Sequence, residues 1–157
     1  MTVRPLLRAD YDSWLKLWQE NCDHKISNTV TAETWRRLMH PKEQVFGLCA
    51  EADGQIAGIL HYILHPTTGQ VEPVCYMQDL FVAPAFRRQG MAKRLLWALQ
   101  DEGKTQGWAR IYWIAANGNE AAHALYKNLA LKLDFALYIS PLCAPDHTSQ
   151  GQSSAAG

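Results

Sequence analysis

Residues 85–96 read AFRRQGMAKRLL, two arginines, a glutamine and a glycine between a strand-like run and a helix-like run. Such a junction is chemically suited to an anion. The first-turn N–H groups of a helix have no intrahelical partner, and the helix dipole adds positive potential there. Gly90 has no side chain to hold a ligand off the backbone, and Ala92 is small for the same reason. Arg87 and Arg88 add charge-assisted donors. The ligand this predicts is a phosphate or pyrophosphate. Two other phosphate-binding patterns are absent from the sequence, the Walker loop GxxxxGK followed by Ser or Thr and a GxGxxG fingerprint after the first strand. On charge alone, a solvated basic helix start with no ligand remains the plain alternative.

The junction needs a strand before it and a helix after it. Residues 74–82, VCYMQDLFV, predict the strand, which Pro84 ends. Residues 89–106 predict the helix, with Met91, Leu95, Ala98 and Leu99 on its inner face. Upstream, residues 2–7 read as a first strand. Asp10 is placed to cap a helix carrying Trp14, Leu17 and Trp18 on one face, and a second helix starts near Thr31 and stops at Pro41. Residues 45–52 and 55–64 predict a hairpin turning at Asp53-Gly54, because Gly accepts positive φ cheaply. Downstream come a strand over 109–116, a helix over 119–129 and a last strand over 134–139. The order is β-α-α-β-β-β-α-β-α-β, an α/β (α+β) layer with helices packed on a sheet.

The chain of 157 residues suits one domain, placed at residues 1–143, with a polar segment at 144–157 expected to be disordered. Fifteen basic and fifteen acidic side chains cancel, which argues against broad nucleic-acid binding. Cys22, Cys49, Cys75 and Cys143 are far apart with no CxxC pair, so they read as reduced core thiols and not as a metal site. The N-terminus lacks an apolar signal region, and no apolar run approaches the ~20 residues of a membrane span. A cytoplasmic protein with no membrane partner is the expectation.

Arg87-Arg88-Gln89-Gly90-Met91-Ala92 resembles the phosphate-binding signature of the GNAT superfamily of N-acetyltransferases. The strand YMQDLFV precedes it as in that family, and N119-E-A-A-H-A-L-Y126 follows and is similar to the family's N-x-x-A-x-x-x-Y segment. The resemblance is strong over residues 71–138. It implies a GNAT fold, a mixed and mostly antiparallel sheet flanked by helices, with acetyl-CoA as cosubstrate. The CoA pyrophosphate would lie on the amides of Arg88, Gln89, Gly90, Met91, Ala92 and Lys93, with Arg87 beside them. The pantetheine arm would pair with the backbone of Leu80, Phe81 and Val82 where the two neighbouring strands splay. Asn119 and Ala122 would line its other side.

Acetyl transfer to an amine needs the amine deprotonated, the developing oxyanion stabilised and the thiolate released. Tyr126 aligns with the family's tyrosine and is the candidate general acid, although Ala122, Leu125, Tyr126 and Leu129 also share an inner helix face. Residues 76–82 resemble the polyamine and thialysine acetyltransferase branch, with Gln78 where that branch often has glutamate. Gln cannot take a proton, which leaves Asp79, Glu72 or a histidine such as His61 or His65 to receive it through water. Gln78 and Asp79 are the candidate substrate residues. Trp14, Trp18 and Trp35 lie in the two helices that wall the acceptor site in this family. With no cysteine in the motif, the predicted reaction is direct attack by a primary amine, on a small molecule, in a ternary complex. The alternatives are a protein or peptide amine acceptor and a non-catalytic acyl-CoA sensor. Pairing between family members implies a homodimer.

Overall fold

The computed structural model describes residues 1–142. Cys143 and the polar segment at 144–157 lie outside the described residues. Five strands form one sheet in the order β1 (Thr2–Pro5), β2 (Val45–Ala52), β3 (Gln55–His65), β4 (Val74–Val82) and β5 (Arg110–Tyr112). All neighbours are antiparallel except β4 and β5, which run parallel. Helices α1 (Tyr11–Asn21) and α2 (Asn28–Leu38) follow β1, α3 (Met91–Gln106) joins β4 to β5, and α4 (Glu120–Tyr126) comes last. This is the expected mixed, mostly antiparallel sheet flanked by helices.

Two cores lie on the two faces of the sheet. Leu60, Tyr62, Cys75, Met77, Leu80 and Val82 pack with Leu95 and Leu99 of α3 and with Tyr126 of α4. Cys49, Ile59 and Phe81 pack with Trp14, Leu17 and Trp18 of α1. Gly58 lets α3 close onto β3: a Cβ there would stand 3.2 Å from both Leu95 Cδ1 and Met91 Sδ. The predicted hairpin turn is present, with φ of 51° at Asp53 and 74° at Gly54.

The helix starts differ from expectation. Ser27 Oγ accepts from the Val30 N–H at 3.3 Å, so α2 begins at Asn28, earlier than Thr31. Asp10 makes no first-turn cap; its carboxylate accepts from the Leu7 N–H at 2.7 Å and from Arg4 Nη1 at 2.7 Å. α3 begins at Met91, two residues later than predicted, because Gly90 adopts a left-handed φ.

The C-terminal half is less regular than its pattern. The strand expected over 109–116 is three residues long, and α4 ends at Tyr126, short of Leu129. The strand expected over 134–139 does not form, and residues 131–142 have no regular secondary structure. Alternating apolar side chains are not enough for a strand; its backbone needs a neighbour to bond. Among the described residues this segment has none, and Phe135 and Tyr138 are 86% and 90% exposed.

Candidate active site

β4 carries the irregularity that organises the site. Opposite β3, His61 pairs with Asp79 and Tyr62 with Met77, so Gln78 is an extra residue on β4, a β-bulge. Met77 therefore faces α3, and Asp79, two positions on, faces α1. Beyond Tyr76, the β5 side of β4 has no strand neighbour among the described residues, because β5 pairs only with Val74, Cys75 and Tyr76. The edge of β4 from Met77 onward is open toward α4.

The open edge leads to the β4–α3 junction. Arg88 and Gly90 take left-handed φ values of 63° and 77°. Such alternation turns successive N–H groups to one side, the geometry of an anion nest. Arg94 is the first residue of α3 to close a helical bond, to the Gly90 carbonyl at 3.1 Å. The amides of Met91, Ala92 and Lys93 precede it and have no backbone acceptor among the described residues. Val82, Phe86, Arg87, Arg88, Gly90 and Lys93 form one wall of a groove of about 210 Å³. Ala121, Ala124 and Leu125 of α4 form the other.

The predicted residues differ in how they meet this groove. Gln89 turns away, donating from Nε2 to the Ala85 carbonyl at 3.3 Å. Arg87 Nε donates to the Val82 carbonyl at 3.1 Å, and its guanidinium lies 5.7 Å from the Phe81 ring centre. Leu80 and Phe81 bury their side chains in opposite cores. Asn119 caps α4, its Oδ1 accepting from the Ala122 N–H at 3.0 Å, and Ala122 is buried. Tyr126 faces the sheet with its ring 4.9 Å from that of Trp113. It is 8% exposed, and burial pushes its hydroxyl up to about 12.

On the other face, Asp79 ends a buried polar chain. Trp14 Nε1 donates to His61 Nε2 at 2.9 Å, which requires a lone pair on that nitrogen and puts the proton of a neutral ring on Nδ1. Nδ1 then donates to Asp79 Oδ2 at 3.0 Å, and Asn21 Nδ2 donates to Asp79 Oδ1 at 3.1 Å. His61 and Asp79 are 3% and 8% exposed. No lysine or arginine among the described residues forms an ion pair with Asp79. The Asn21 Oδ1 beside it is buried with no hydrogen-bond partner. The Asp79 charge, second to burial, helps hold the Tyr76 hydroxyl above its ordinary range. Gln78 is exposed.

His61, Trp14 and Asn21 are the members of this chain that sequence reasoning underrated or missed. Their bonds span 47, 18 and 58 positions, and only the bulge turns Asp79 to meet them. Cys22, Cys49 and Cys75 are buried, and burial pushes their thiols to about 12, 11 and 12. They stay protonated at neutral pH and are poor nucleophiles.

The sequence profile described as the acetyltransferase (GNAT) family matches residues 4–130. The chain belongs to that family. It is therefore an acetyltransferase, and acetyl-CoA is its acetyl donor. Among GNAT relatives, the D-amino-acid N-acetyltransferase of Saccharomyces cerevisiae is 29% identical over 143 residues, 88% of this chain and 89% of that one. The thialysine N-epsilon-acetyltransferase of Caenorhabditis elegans is 33% identical over 104 residues, 65% of this chain and 62% of that one. Solved GNAT structures share the fold at lower identity. A ribosomal-protein-alanine N-acetyltransferase from Brucella melitensis biovar Abortus 2308 superposes with a TM-score of 0.76 at 20% identity, covering 90% of this chain and 100% of that one. An aminoglycoside N-acetyltransferase in complex with CoA gives the same TM-score and identity, covering 90% and 95%. The GNAT cosubstrate suits the groove chemically: open helix amides and the cation of Arg88 match a pyrophosphate, and the bare edge of β4 matches an amide-bearing arm.

Proposed function

We propose that this protein moves acetyl from acetyl-CoA to a primary amine of a small molecule, by direct attack in a ternary complex. The observation that carries this reading is the position of the open β4 edge, between a cationic groove and a buried carboxylate that has no lysine or arginine partner among the described residues. Acetyl-CoA supplies an activated acyl carbon and a leaving thiolate. The amides of Met91, Ala92 and Lys93, with Arg88, hold the pyrophosphate. Of Leu80, Phe81 and Val82, the first and last turn backbone groups to the pantetheine arm, although the Val82 carbonyl is already engaged by Arg87; those of Phe81 face Ile59 on β3. The candidate donor to the thioester oxygen is the open-edge N–H beside Phe81, that of Leu80, because the Ala83 N–H bonds to the Ala57 carbonyl and alternation turns the Phe81 N–H to β3 as well. Loss of such a donor costs ~2.7–4 kcal/mol in enzymes that depend on one.

The acceptor amine must become neutral. For a lysine-like amine of pKa ~10.4 this costs about 4.6 kcal/mol at pH 7. Asp79 is the buried carboxylate nearest the open edge, accepting from Asn21 and His61 and forming no ion pair with a lysine or arginine among the described residues. Water beside Gln78 carries the proton toward Asp79. Tyr126 acts at the sulfur. Full transfer from a hydroxyl near about 12 to a thiolate of ordinary pKa ~8.5 is uphill by about 5 kcal/mol. Tyr126 therefore assists chiefly as a hydrogen-bond donor. The protonated core thiols support attack without an acetyl-cysteine step.

Thiol release from acetyl-CoA against polyamines, lysine analogues, aminoglycosides, L- and D-amino acids and short peptides tests the reading. A small amine should raise the rate well above acetyl-CoA alone; stimulation by peptides alone would replace the acceptor class. We also propose a homodimer, supported by the unpaired apolar segment 131–142. Light scattering that finds only monomer at micromolar concentration would refute it.

A further inference from the structure

Six tryptophans occur in the chain, and five pack into a core. Trp14, Trp18 and Trp35 belong to the cluster beneath α1, and Trp108 and Trp113 to the one beneath α3. Trp97 belongs to neither and is 46% exposed. Its neighbours along α3, Leu95, Leu96 and Leu99, are fully buried, so Trp97 lies off the helix's core-facing side. Lys93 covers one face of its ring, with Nζ 4.5 Å from the ring centre. Lys93 in turn lines the cationic groove.

Helix geometry relates these two residues. Four positions at 1.5 Å each place Trp97 about 6 Å beyond Lys93, one turn along α3 from the open amides. If the pyrophosphate sits on those amides and pantetheine runs along β4, the adenosine half of CoA must leave in the other direction, outward over α3. A large exposed ring at that distance, with a lysine beside it, has the chemistry to bind a base and its adjoining phosphate.

We propose that Trp97 is the adenine platform of the acetyl-CoA site and that Lys93 pairs with the 3′-phosphate of the same nucleotide. The proposal rests on the pyrophosphate reading given above. The adenine stacks on the ring face away from Lys93, whose ammonium lies over the opposite face and reaches the 3′-phosphate from there. Together they make affinity depend on the nucleotide half of the donor, which distinguishes CoA from a bare phosphopantetheine carrier.

The test uses the full chain and calorimetric titration with acetyl-CoA, 3′-dephospho-CoA and 4′-phosphopantetheine, the weakest ligand being measured by displacement. Trp97→Ala should raise the acetyl-CoA Kd about tenfold and leave the phosphopantetheine Kd unchanged, while Trp97→Phe should stay within about twofold of wild type. Lys93→Met should weaken acetyl-CoA but not 3′-dephospho-CoA. Acetyl-CoA should quench tryptophan emission in the wild type, and Trp97→Ala should lose most of that quenching. Unchanged acetyl-CoA affinity in Trp97→Ala, or equal loss toward acetyl-CoA and phosphopantetheine, would overturn the platform. The underlying pyrophosphate reading fails separately, if Arg88→Ala leaves the affinity for both CoA ligands intact.

Discussion

The β4–α3 junction draws its donors from one run of chain, residues 87–93, while the polar chain under α1 draws its members from α1, β3 and β4. The first is solvated, cationic and open to the groove. The second is buried, includes one carboxylate, and is closed by bonds that span up to 58 positions. Local backbone geometry suffices to hold an anion, because the donors are main-chain N–H groups whose direction follows from φ and ψ. Fixing a buried carboxylate beside a reacting amine requires side chains from elements that meet only when the whole fold has formed. Changes at the junction should therefore act on donor affinity, and changes at the polar chain on acceptor turnover.

Asp79→Asn is the most direct way to break that division. It should lower kcat/KM for the amine about 100-fold, a loss near 2.7 kcal/mol, and leave the acetyl-CoA Kd unchanged. A parallel loss of acetyl-CoA binding would show the two regions to be one. Tyr126→Phe should lower kcat roughly 10- to 30-fold with the same acetyl-CoA affinity, read by steady-state kinetics beside titration. At the junction, Gly90→Ala should raise the acetyl-CoA Kd about tenfold with little change in kcat. An added Cβ at Gly90 meets nothing within 4 Å, so the penalty comes from the positive φ, roughly 1–2 kcal/mol. Trp14→Phe removes the donor to His61 Nε2 and should cost about 1 kcal/mol in denaturant unfolding, with donor affinity unaffected.

Alkali sharpens the comparison differently, since buried thiols lie beneath both regions. The folded values of Cys22, Cys49 and Cys75, about 12, 11 and 12, exceed the unfolded value of 9.0. The folded state thus retains protons that the unfolded state releases between pH 9 and about 11. Stability is intact below pH 9 and falls above it, by on the order of 1 kcal/mol per thiol per pH unit. Amine deprotonation favours turnover as pH rises, so the alkaline limit of activity should follow unfolding. Circular dichroism recorded alongside rate across pH 8–11 checks this.

β4 matches its predicted bounds, and the Asp53-Gly54 turn is where the pattern places it, because both depend on nearest neighbours. The cationic junction was legible for the same reason. The partners of Asp79 were not. β4 is apolar on both faces, so a two-residue period cannot reveal an extra residue at Gln78. The short β5 and the unformed strand at 134–139 show the complementary limit. Ile111, Phe135 and Leu137 have strand-like spacing, but pairing depends on what lies alongside, which a single segment does not encode.

The bulge at Gln78 also constrains how this chain can change. It acts as a frame shift in the strand's alternation, since the residues before it and after it are read in different phases. Substitution at position 78 can alter what meets solvent but cannot restore the phase. Removing the residue would make Met77 and Asp79 consecutive, still on the α3 and α1 faces opposite Tyr62 and His61, and would take away only the bend and the exposed position between them. The distance in sequence between a hydrophobic contact and the carboxylate is thus a counted quantity, and only an insertion or deletion can revise it.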